Sequence, residues 1–324
     1  ASSDTRDGVL NPLLAPGVEA VGTPTAVLVE GETHLFVRGT NRSIYWMNSE
    51  DRGWQSIGCC AGSDIAAVES SPGQIEIAFV GASSGRTLHS TYRSGRWSSW
   101  RYVANAPANR GTHDGYLAPA LVSRAARTFD LFAVNSSGGL SVASFDGGWG
   151  GWTDLQPDQA LISGPGWGAR YRVPFRITAR PAAIALNRDT IQLALVVGTR
   201  LFEPRVSFAG GRVQPEFTVG SRTGEVQADS APALTTRANL SNPYRVVAVG
   251  PSGRLMHRFA NGAWFEIGGI PADGTGVSAV ATGRYNADLV ILGTPMMSCV
   301  ANCESDARAP NTQLQSGGIW LRSL

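Results

Sequence analysis

Lysine is absent from this 324-residue chain, and its 27 basic residues are all arginine. Against 25 acidic residues the net charge is +2, too small to argue for nucleic acid or an anionic membrane surface as a partner. No apolar run approaches the roughly 20 residues that a membrane-crossing helix needs. Long helix-forming runs are missing as well. There is no phosphate-binding loop, dinucleotide fingerprint, nucleophile elbow or zinc-type spacing, so the chemistries those motifs support are not expected. No cofactor is required and no metal ligands stand out.

What the chain has in abundance is glycine, 39 residues, within an apolar content of 43% that is ample for a core. That combination points to many short strands joined by turns, an all-β chain. A tryptophan-anchored segment recurs along it: DRGWQSIG around Trp54, GRWSSWRYV around Trp97 and Trp100, GGWGGWTDL around Trp149 and Trp152, and NGAWFEIGG around Trp264. Each copy follows an alternating apolar stretch, a tight turn and a second alternating stretch. The copies lie about forty to sixty residues apart, the range in which a period signals a propeller or solenoid.

First strands such as TAVLVE, PALVSR and PAAIALN pair with second strands HLFVRG, FDLFAVN and IQLALVVG, and six such copies can be counted. The sixth ends after its third strand. The apolar N-terminal segment VLNPLLAPGVEAVG has no strands of its own to pair with. The expectation is a single β-propeller over 1–324 with six four-stranded blades rather than seven. Residues 1–23 would supply the missing outer strand and close the ring, which removes exposed sheet edges. Calcium held by backbone carbonyls in the propeller channel would leave no trace in the sequence, so a structural calcium stays open.

The repeat wording carries a family resemblance. The first copy reads Phe36-Val37-Arg38-Gly39-Thr40-Asn41, later Tyr45-Trp46, then Gly53-Trp54 and Ile57-Gly58; the fifth gives Gly253-Arg254-Leu255-Met256-His257-Arg258 and Gly268-Gly269. These runs resemble the Photorhabdus-lectin-like and fucose-lectin-like β-propellers, whose repeats open on P-A-V and continue F-V-R-G-T-D-G and G-W-S-x-W. The resemblance implies the propeller fold more strongly than it implies sugar binding. Related propellers include glycan-degrading enzymes of the rhamnosyl-glucuronate lyase type, and fold alone does not choose between them.

Three insertions interrupt the repeats, at about 104–117, 156–180 and 294–318, and chain topology assigns all three to one face of the disc. Long loops gathered at one end of a rigid scaffold usually carry function. Cys59 and Cys60 follow the first blade, while Cys299 and Cys303 lie in the third insertion, so all four share that face. An even count without zinc-type partners favours disulfides and an oxidising compartment. Cross-pairing is preferred to a vicinal bond, which needs an unusual peptide geometry. With sequons at Asn41, Asn135 and Asn239, the chain is expected to be a secreted, extracellular glycoprotein.

The unrepeated polar residues are the candidates for chemistry. His113 sits beside Asp114 and Tyr116, a grouping suited to moving a proton, with Asp114 fixing the imidazole. Trp167 offers a platform for a sugar ring, and Arg170, Tyr171 and Arg172 follow it with donors matched to a carboxylate. His89 and His257 share one third-strand position, where a framework role is favoured, and His89 is kept as a substrate-contact candidate. His34 has little beyond a strand role. Glu304, Asp306 and Arg308 offer carboxylates and a cation without a spacing signature.

The repeats diverge in their turns and tryptophan segments, which favours one elaborated site over the many equivalent sites of a multivalent lectin. The leading expectation is a monomeric carbohydrate-active enzyme acting on an acidic oligo- or polysaccharide. As a uronate lyase, it would use His113 or Tyr116 to move the proton and Arg170 or Arg172 to stabilise the developing charge. The alternative is a fucose-type sugar-binding propeller without catalysis.

Overall fold

A computed structural model describes residues 8–10, 13–48, 53–109, 111–112, 115–155, 159–163, 170–208, 213–216, 225–227, 230–236, 243–260, 262–271, 277–281, 287–293 and 318–323. Every regular element among them is a β-strand, and the sheets are arranged as a β-propeller. The strand Gln74–Val80 illustrates why these segments extend: its residues beyond Gln74 are all buried, although only alternate ones share a face. A strand covered on both sides reads as an almost continuous apolar run.

Five blades are built from consecutive strands. The first contains Val18–Val29, Glu32–Gly39, Ile44–Asn48 and Gln55–Gly58; the second Ala66–Ser71, Gln74–Val80, Thr87–Arg93 and Arg96–Trp97. The third contains Ala120–Ala125, Thr128–Val134, Leu140–Asp146 and Thr153–Asp154. The fourth runs through Ala182–Asn187, Thr190–Val197, Arg205–Ser207 and Gln214–Glu216, and the fifth through Ala233–Thr236, Tyr244–Val249, Arg254–Phe259 and Phe265–Pro271. The remaining sheet is composite. Val277–Ala281, Ala287–Gly293 and Gly318–Ser323 are joined by Gly8–Leu10, which pairs antiparallel with Gly318–Ser323.

Five blades, not the six expected, are thus single runs of chain. The N-terminal stretch 1–23 is not one closing strand either. Gly8–Leu10 joins the composite sheet, Leu13–Ala15 folds onto the first blade, and from Val18 the chain is that blade's innermost strand. Gly17, at φ +72°, makes the tight reversal that divides the stretch, a conformation glycine adopts without steric cost.

The innermost strands neighbour one another around the axis, and the apolar cores lie between blades. Phe36, Ile44 and Trp46 of the first blade pack with Ile75, Ile77 and Phe79 of the second, and Trp97 and Trp100 close this cluster. Trp149 and Trp152 seal the seam between second and third blades, where Trp152 Nε1 donates to Ala104 O at 2.9 Å. Trp264 packs at the seam of the fourth and fifth. Burying each large apolar side chain contributes about 1.5–3 kcal/mol relative to exposure. The tryptophan repeat is therefore the mortar between blades.

Each second strand carries one polar residue at an equivalent position: His34, Glu76, Asp130, Gln192 and Arg245. In the second blade Glu76 is buried and accepts from Ser70, Gln74 and Thr91, with His89 Nε2 at 2.8 Å. Burial pushes its carboxyl up, but the bonds from His89, Thr91 and Gln74 outweigh burial and hold it below its ordinary 4.5. Its stabilising contribution is then complete above that value and fades as pH falls through the depressed one. Glu76→Gln should cost about 2 kcal/mol at neutral pH, read by urea unfolding. The gap to the parent should shrink below pH 4.5; a gap independent of pH would show that shape rather than charge is what Glu76 supplies.

Candidate functional site

A cavity of about 430 Å³ opens at the seam of the first and second blades. Its walls are the turns that connect first to second strands in three successive blades, through Glu30 and Glu32, Pro72 and Gly73, and Arg127. The turn after Thr87–Arg93 adds Arg93, Ser94 and Gly95. Among the described residues, six that are not glycine have positive φ, and three of them, Glu30, Ser94 and Arg127, line this cavity. Such backbone is costly outside glycine and is held in place by its surroundings, a pattern that gathers at binding sites. Here the Arg127 amide is tied to Ser70 O at 2.8 Å.

The floor is aromatic. Tyr92 lines the cavity and packs against Trp46 and Trp97, with ring centroids at 5.2 and 5.1 Å. His34 lies beside it, buried, and its Nδ1 accepts from Trp46 Nε1 at 3.0 Å. Burial pushes the imidazole below its usual range, so the ring is neutral with its proton on Nε2. His34 thus offers one N–H donor and no charge. The exposed rim carries Glu30 of one sign, with Arg93 and Arg127 of the other. Burial raises the nearby Glu69 carboxyl; the Gly73 amide opposes that shift and the charge of Glu30 adds to it. Donors, acceptors and an apolar ring face converge on one cavity of ligand size.

This cavity lies on the face opposite the connections that bear the insertions. The first insertion forms a short hairpin, Gly111–Thr112 with Gly115–Tyr116, and Tyr116 folds onto Gly62, whose carbonyl accepts its amide at 2.8 Å. His113 and Asp114 lie outside the described residues, as do Trp167, Glu304, Asp306 and Arg308. In the second insertion, Gln159–Ser163 pairs with Arg170–Pro174, which places the backbone of Arg170, Tyr171 and Arg172 opposite Ser163, Ile162 and Leu161. His89 sits among Phe129, Phe145 and Trp149 with its Nε2 2.8 Å from Glu76, surroundings that suit a framework role. His34, Tyr92 and Arg127 line this cavity without having been site candidates in the sequence. A polar residue inside an apolar second strand was the available signal for His34, whereas the turn residues carry none.

The cysteine pairing is vicinal. Cys59 and Cys60 are bonded to each other, with both side chains exposed and Cys60 at φ +73°. The preferred cross-pairing with Cys299 and Cys303 is thereby corrected, and those two lie outside the described residues. The positive φ at Cys60 turns the chain so that adjacent sulfurs meet, and the Cys60 carbonyl accepts from Ala82 N at 2.8 Å.

No family model matches this chain, and neither does any curated protein. Solved structures are similar in fold. A triple-arginine variant of AofleA from Arthrobotrys oligospora is 13% identical over 90% of this chain and 84% of that one, with a TM-score of 0.58. The BP39L lectin from Burkholderia pseudomallei is 20% identical over 85% and 77%, at 0.57. A variant of Aleuria aurantia lectin in complex with Fucα1-6GlcNAc is 15% identical over 83% and 87%, at 0.58. The fold shared with these structures is the β-propeller.

The vicinal bond has a direct chemical test. Tryptic digestion without reductant should release the 53–86 peptide lighter by two hydrogens and unlinked to any other peptide. Recovery of that peptide joined to the one containing Cys299 would establish cross-pairing instead.

Proposed function

We propose that this chain is a carbohydrate-binding propeller that takes a neutral, fucose-like sugar in the cavity between the first and second blades. The observation that carries this reading is the cavity itself. Tyr92 supplies a ring face, His34 Nε2, Arg93 and Arg127 supply donors, and Glu30 and Glu32 supply acceptors for hydroxyl groups. Charges of both signs suit a polyhydroxylated neutral ligand better than a uronate, which would call for cations alone. Similar structures point the same way: Aleuria aurantia lectin is described as fucose-specific and was solved with α-methyl-L-fucoside, and SapL1 lectin with α-methyl fucoside.

A single principal site fits the divergence of the blades. At the next seam the corresponding space is filled by His89, Phe129 and Trp149, and at the one after it Arg124 lies over Phe208 at 3.9 Å. We read the composite sheet as a sixth blade, with Gly8–Leu10 as its outer strand, supported by the pairing of chain ends. An extracellular setting accords with the exposed Cys59–Cys60 bond, and the chain is taken as a monomer. The acid–base roles considered for His113 and Arg170 have no described side-chain geometry behind them, and the sugar-binding reading does not use them.

Calorimetric titration of methyl α-L-fucoside, with a panel of neutral and acidic sugars beside it, tests the proposal. About one site per chain is expected for a neutral sugar. Tyr92→Ala should weaken binding at least about tenfold, the worth of one aromatic contact, and Arg127→Ala should weaken it with the fold intact by circular dichroism. Binding confined to uronates, or unchanged in Tyr92→Ala, would overturn the assignment.

A further inference from the structure

Strand register exposes a second set of equivalent positions, around the axis of the ring. Val27, Val68, Val122, Ile184 and Thr235 lie opposite the polar residues of the second strands. Four residues earlier in each blade stand Thr23, Asp64, Ala118, Arg180 and Ala231. Three are small and two are charged, with opposite signs. Two residues before the aligned positions the ring reads Thr25, Ala66, Ala120, Ala182 and Ala233, with Ser278 in the composite sheet. Two hydroxyls thus share a ring otherwise made of alanine.

Arg180 spans the channel. It belongs to the fourth blade, yet its Nη1 donates to Thr25 Oγ1 of the first at 2.8 Å, and the innermost strands of those blades are not neighbours. Among the described residues this is the one hydrogen bond of a guanidinium that carries five N–H donors. The channel beside it keeps a cavity of about 100 Å³, lined by Arg180, Thr25, Ser278 and the small residues of the ring. Ser278 Oγ accepts from Ala26 N at 3.0 Å, which leaves its own O–H free to donate.

The nearby carboxylate does not neutralise this cation. Asp64 is held at the seam of the first two blades, accepting the Thr23 amide at 2.8 Å with Arg38 Nε at 3.6 Å. Gly22 makes room for it: at φ +78°, a Cβ there would stand 1.9 Å from Asp64 Oδ1. One carboxylate therefore faces two guanidiniums, and the excess positive charge lies beside the channel. Burial pushes Arg180 below its ordinary value while Asp64 counters it, and burial likewise pushes the Asp64 carboxyl up against the pull of both guanidiniums.

We propose that the central channel is a binding site for a small monovalent anion, a halide or the carboxylate of a small acid, held by Arg180 and Ser278. The anion completes the hydrogen bonding of the guanidinium that ties the fourth blade to the first, so its binding stabilises the ring. The site is distinct from the sugar cavity, which opens on the face where the first strands end.

Melting temperatures at constant ionic strength test this, with gluconate, too bulky for the cavity, as the reference anion. Bromide and acetate are titrated separately to distinguish halide from carboxylate. Because binding to the folded state alone raises stability with ligand concentration, the parent should melt progressively higher in at least one of them. Arg180→Met should show no such rise, and Asp64→Asn should reach the same rise at several-fold lower concentration. Crystals grown in bromide should show an anomalous peak beside Arg180. A channel holding only water in those crystals, or parallel melting curves for the parent and Arg180→Met, would falsify the site. Should Arg180→Met fail to fold, the anomalous map and Asp64→Asn decide the question.

Discussion

No blade of this protein can bury its own apolar faces, and the rest of the structure depends on that constraint. A four-stranded sheet is apolar on both sides, so each core forms between neighbours: Phe36 and Trp46 with Ile75 and Phe79, then Ala66 and Ala78 with Phe129 and Leu131. Loss of one blade would expose faces on two others. The ring is thus a chain of mutual burial, and the tryptophan segments recur because each must cap a seam.

The same constraint localises function. Interiors made by blade packing leave little freedom, so variation concentrates at the seams and along the axis. One second-strand position shows this. Glu76 and Asp130 are closed off by His89 and Arg124, whereas His34 borders an open cavity because Trp46 takes only its Nδ1. Identical backbone placement yields a sealed polar network in two blades and an available donor in another. The axial ring behaves alike, with alanine at most positions and charge or hydroxyl at a few.

The distribution of positive charge also follows from burial. Arg258 pairs with Glu203, which also accepts from Tyr244 at 2.9 Å; burial, aided by that carboxylate, pushes the phenol far above its ordinary range. Arg124 pairs with Asp130. Arg180 differs in its partner: it donates to the Thr25 hydroxyl, while the nearby Asp64 carboxylate accepts the Thr23 amide and faces Arg38.

Strand alternation, turn residues and the tryptophan period determined by themselves that this chain is an all-β propeller, because periodicity is a local property of neighbouring residues. That His89 and His257 share one third-strand position was legible for the same reason, and their registers opposite Ala78 and Val247 agree. The cavity between the first two blades was not legible. Its walls come from turns in three blades, and a turn such as that of Arg127 looks the same in sequence whether it faces solvent or a ligand. The Cys59–Cys60 bond rests on the φ of Cys60, which spacing does not reveal. The meeting of Arg180 with Thr25, 155 residues apart, exists only because the ring brings blades across one axis.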